Sequence, residues 1–120
     1  MCGDDDDLNQ VDEELYNRFL DKAKKHGITP ETPPGETPLD LNNQVIRTRY
    51  MDGLFKAGLT RVINDANHQK TGDRMDIIAG QAIVFARLAG LLAGQFPPDS
   101  DLFHTVVSAL MEGHKEAHSI

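Results

Sequence analysis

Between Ile77 and Gln95 nearly every residue is apolar or small, and a single cation, Arg87, sits near the midpoint. Wound at ~100° per residue, Ile77, Ile78, Val84, Phe85, Leu88, Leu91, Leu92 and Phe96 fill one arc of roughly 140°. The rest of the circumference is small: Ala79, Gly80, Ala82, Ala86, Ala89, Gly90, Ala93 and Gly94, interrupted only by Ile83 and Arg87. Such a helix must be largely surrounded by protein. The large arc is expected on the domain core. The small arc lets another helix backbone approach closely, as the spacings Ala82/Ala86, Ala89/Ala93 and Gly90/Gly94 allow. That neighbour is either another helix of the chain or a symmetry mate across a two-fold axis. In the second case Ala82, Ala86, Ala89, Gly90, Ala93 and Gly94 form the interface of a homodimer. A membrane span is disfavoured: apolar side chains favour insertion by about 0.3–0.6 kcal/mol each, but Arg87 costs about 3 kcal/mol and Gln81 and the glycines add to it.

At 120 residues the chain is long enough for one domain. Only 39% of it is apolar and it has no Trp, which is lean for an isolated core and favours association. The lone cysteine, Cys2, cannot form an intrachain disulfide, and the acidic N-terminus does not read as a secretory leader. A cytoplasmic, reducing location is expected.

The net charge of −7 is confined to one end. Residues 1–21 hold eight acids and one base, whereas residues 22–120 hold eleven of each. No basic stripe exists, so nucleic-acid binding through a basic face is not expected. An acidic arm suits a partner with a basic surface.

The periodicity predicts four helices and no strand, hence an all-α bundle. The first helix runs from about Leu8 to His26, with Val11, Leu15 and Phe19 on its apolar stripe and Gly27 as its stop. Residues 29–38 hold four of the six prolines and read as an extended connector. The second helix is expected from Pro38 to Asn67, capped by Thr37 with Asp40 as its third residue. It carries two apolar stripes. One contains Leu41, Val45, Met51, Phe55, Leu59, Val62, Ile63 and Ala66; the other contains Ile46, Tyr50, Leu54 and Ala57. Gly53 and Gly58 suggest a kink or a close contact. The third helix is expected from Asp73 to Gln95. The fourth runs from Asp101 to Ala117, with Leu102, Phe103, Val106, Val107, Leu110 and Met111 as its buried face. The expected organisation is an acidic helical arm (1–28), a Pro-rich connector (29–36) and a three-helix core domain (37–120).

Little in this pattern is chemical. His114 and His118 lie four apart and share a helix face, but two histidines supply two ligands; His104 is the nearest third. The order His-Lys-Glu-Ala-His is not that of a metalloprotease helix. Gln81 lies within the large arc, where its amide needs partners, and Arg87 at the edge of the small arc. These two are the candidate ligand-binding residues. No nucleophile sits in a strand-to-helix elbow and no glycine loop would cradle a phosphate. No cofactor is expected.

The reading is of a non-enzymatic interaction or regulatory protein, without catalytic residues. It binds a protein partner through Val11, Leu15 and Phe19 of the arm and Ile46, Tyr50 and Leu54 of the second helix, and forms a homodimer. The alternative is a small-ligand- or metal-binding bundle, or an enzyme, using Gln81, Arg87, His104, His114 and His118.

Overall fold

The computed structural model describes residues 2–31 and 40–118, and, within these, nothing of the side chains of residues 2–10 or of Pro98. The protein is all-α, a small helical bundle of four helices with no strand among the described residues. The helices are α1 (Cys2–Lys25), α2 (Gln44–Asn67), α3 (Arg74–Ala93) and α4 (Leu102–Ala117). Short 3-10 turns at Thr71–Asp73 and Pro98–Ser100 precede α3 and α4.

α1 begins at Cys2, earlier than its apolar stripe suggests. The backbone of Asp4–Asp7 therefore lies in its opening turns, where the helix dipole favours acids. Its end follows the sequence. Gly27 takes φ +77, its N–H donates to Lys24 O at 2.9 Å, and Ile28 N–H donates to Ala23 O at 3.0 Å. That pair of bonds is a Schellman stop, and the positive φ is why a glycine stands there.

α2 starts six residues later than expected. Asn43 caps it, its Oδ1 accepting from Val45 N at 2.9 Å and Ile46 N at 3.3 Å. Asp40 instead accepts a turn bond from Asn43 N. Thr37 and Pro38, the expected cap and first residue, lie outside the described residues. Neither Gly53 nor Gly58 marks a close contact: a Cβ at either would meet nothing within 4 Å. α4 follows Asp101, which sits in the left-handed region at φ 62, and runs on past Gly113 to Ala117.

Contacts group the chain into two units, one of residues 1–30 and 86–120 and the other of Glu31–Phe85. The break between the two units on α3 falls after Phe85. In the second unit, α2 and the first half of α3 pack across the turn between them. Gly58, Val62 and Asp65 of α2 and Gln69 just past its end are half-buried and Ala66 is buried; Ile77, Ile78 and Gln81 of α3 are half-buried. In the first unit, Leu15, Phe19, Leu20 and Ala23 of α1, Ala89 of α3, and Leu102 and Val106 of α4 are half-buried, and Ala93 is buried.

The expectation that α3 is gripped on both sides fails for the single chain. Among the described residues only Ala66 and Ala93 are buried. Val84, Phe85, Leu88, Leu91 and Leu92, the bulk of the large arc, are exposed. The same holds for α4, where Phe103, Leu110 and Met111 lie open and only Leu102 and Val106 are partly covered. Among the described residues the apolar faces of α3 and α4 are thus covered only in part.

Candidate functional site

The polar residues that the fold brings together lie in the second unit. Asp65 and Gln81 face each other across α2 and α3, and Gln81 Nε2 donates to Asp65 Oδ2 at 3.1 Å. Arg61, one turn before Asp65, donates from Nε to the same oxygen at 2.9 Å. Gln81 Oε1 is buried and has no donor among the described residues. These three residues, with Asp76, Ile77, Gly80, Val84 and Phe85, line a cleft of about 500 Å³. The expectation that Gln81 needs a partner is thus half met. Arg87 is not part of this place: it lies about 120° around α3 from Gln81 and is exposed.

Arg61 and Asp65 stand four apart on α2, the spacing of an ordinary helix-surface pair. Asp65, however, shares its bearing on α2 with Gly58 and Val62, so it stands on the packed face. A second pair at the same spacing, Asp52–Lys56, forms at 2.9 Å and is well exposed at both ends.

In the first unit, Leu15, Tyr16 and Phe19 of α1 meet Leu92, Gln95 and Phe96 at a cleft of about 390 Å³, with Asp12 at its edge. Lys22 Nζ donates to Gln95 Oε1 at 3.2 Å, and Gln95 Nε2 donates to Leu91 O at 2.7 Å. Of the arm residues expected to meet a partner, Leu15 and Phe19 are therefore half-covered and Val11 is open. On α2, Ile46 is half-buried while Tyr50 and Leu54 are exposed.

The small residues of α3 divide. Ala93 is buried and Ala89 half-buried, whereas Ala82, Ala86 and Gly90, and Gly94 just past the helix end, are exposed. A Cβ at Gly90 would meet nothing within 4 Å, so no neighbouring helix backbone uses that opening.

His114 and His118 stack edge to face with ring centroids 4.7 Å apart. His104 lies ten residues earlier on the same helix, about 15 Å along its axis, and its ring neighbour is Phe103. No group of three or more His, Cys, Asp or Glu among the described residues could hold a metal ion.

Comparison of the chain with protein-family models, with curated proteins and with solved structures finds no significant match.

Proposed function

We propose that this chain is a non-enzymatic interaction protein, regulatory or accessory in role, whose apolar helix faces are completed by a protein partner. The observation that supports this reading most directly is exposure. Among the described residues more than twenty large apolar side chains stand open to solvent, on every helix, while only two alanines are buried. Patches of this extent are unfavourable in a lone soluble chain and mark surfaces that another macromolecule covers. The acidic arm adds a preference for basic surfaces.

Purified alone and diluted to nanomolar concentration, the chain is expected to melt without cooperativity and to exchange the amides of α2 and α3 rapidly. A monomer with a sharp transition and protected amides would overturn the reading. The contribution of the arm is tested separately: removing residues 1–28 should weaken capture of a partner with a basic surface.

A second reading, a small-ligand site, draws on the unpaired Gln81 Oε1 beside Asp65 and Arg61. It requires a ligand that donates a hydrogen bond. Loss of a ligand's stabilising effect in Gln81→Leu, with stability otherwise retained, is the outcome it needs.

A further inference from the structure

The last turns of α4, with the residue that ends it, hold three exposed donors on one face. At ~100° per residue Met111, His114 and His118 fall within about 60° of arc. His114 is the middle member. It stands three residues after Met111 and four before His118, the two spacings at which helix side chains are direct neighbours. The structure brings both pairs together. Met111 and His114 line one open cleft of about 580 Å³, with Leu110, Glu112 and Lys115. The His114 and His118 rings meet with centroids 4.7 Å apart. All three side chains are open to solvent, Met111 at 66%.

We propose that these three residues bind a soft monovalent metal ion, Cu(I), through one thioether sulfur and two imidazole nitrogens. The site stands apart from the interaction reading above: it uses the end of one helix and needs no partner chain. It is not a set of His, Cys and carboxylates alone, because its third donor is a methionine.

Three observations select that ion. The first is spacing. Two imidazoles that each give one nitrogen to the same ion, at about 2 Å, stand about 5 Å apart centre to centre. The rings of His114 and His118 are close to that separation, so binding needs little movement. The second is donor chemistry. A thioether is a soft ligand and selects Cu(I), whereas zinc takes imidazole, thiolate or carboxylate and usually four ligands. Glu112 and Glu116 lie about 100° or more around the helix from each of the three donors, so this face supplies no carboxylate. The third is charge. All three donors bind as neutral ligands, and Lys115 lines the same cleft. A single positive charge is repelled there half as strongly as a double one. The last carbonyls of α4 carry partial negative charge and favour a cation at this end. His104 shares the bearing of Met111 but lies about 15 Å from His114 along the axis, outside the site.

Anaerobic titration with Cu(I), its free concentration set by a chromogenic chelator, tests this. The protein is the full chain without a histidine tag, carrying Cys2→Ser so that no thiol competes for the ion. One Cu(I) per chain should bind at submicromolar free ion. Loss of an outer partner of a metal ligand costs about 10–100-fold in affinity, and loss of a ligand at least as much. Met111→Leu, His114→Gln and His118→Gln should therefore each weaken binding by roughly tenfold or more. Helix content by circular dichroism should be unchanged, since all three side chains are exposed. His104→Gln should bind as tightly as the parent. One equivalent of Ag(I), which shares the preference for soft donors, should shift the methyl NMR signal of Met111 and leave those of Met51 and Met75 in place. Equal affinity in Met111→Leu would overturn the proposal. So would loss of the ion in His104→Gln, a first Ag(I) equivalent that moves Met51 or Met75 instead, or no Cu(I) held at micromolar free ion. Several loosely held ions, none dependent on Met111, would be an adventitious ion only and would overturn it as well.

Discussion

Asp65 and Asp52 look alike in the sequence: each is paired with a base four residues away on the same helix. Their surroundings separate them. Asp52 and Lys56 are both largely in water, so Asp52→Ala should change stability by only a few tenths of a kcal/mol. Asp65 also accepts from Gln81 Nε2. Its removal leaves a half-buried amide with neither end satisfied, and Asp65→Ala should cost about 1–2 kcal/mol by urea denaturation. Equal costs for the two alanines would show that Gln81 is solvated and that the cleft is not a packed face. Glycines separate in the same way. Gly27→Ala puts a side chain at φ +77 and should destabilise by about 1 kcal/mol. Gly53→Ala fills open space inside a continuous helix and should stabilise by about 1 kcal/mol per chain.

The four helices were legible as periodicity, because a stripe recurring every three or four residues survives whatever the stripe packs against. Two boundaries were less so. Thr37, Pro38 and Asp40 offer good start chemistry, but Asn43 offers a stronger cap nearer the apolar run, and its side chain takes two backbone donors at once. Asn43→Ala should cost about 1 kcal/mol and fray the first turn of α2, visible as faster exchange at Val45 and Ile46. α1 begins at Cys2 because aspartates are tolerated in an opening turn, which an apolar stripe cannot reveal. What covers each stripe was not legible. The small arc of α3 reads as a contact on the assumption that every apolar circumference is filled, and in one chain Gly90 is not. The Gln81 cleft was half legible. A polar residue on an apolar arc announces a need for partners, but Asp65 shows only when the bearings of both helices are compared.

At the scale of the whole molecule, the shortage of aromatic residues and the exposure of large apolar side chains among the described residues are one fact. A chain with no Trp and 39% apolar residues can mark its packing faces without filling them. Stability should then depend on how much protein is present. For a folded dimer in equilibrium with two unfolded chains, a tenfold rise in concentration favours the folded state by about 1.4 kcal/mol. The unfolding entropy of two 120-residue chains is about 0.5 kcal/mol per kelvin. Tm should therefore rise by about 3 °C for each tenfold increase, and calorimetry across two decades would resolve roughly twice that. Phe55→Asp should abolish the slope and the sharp transition together, because it puts a charge on a bare apolar face of α2. A Tm independent of concentration, in a chain that still melts sharply, would require the exposed faces of α2, α3 and α4 to be stable in water. The transfer cost of those side chains argues directly against that.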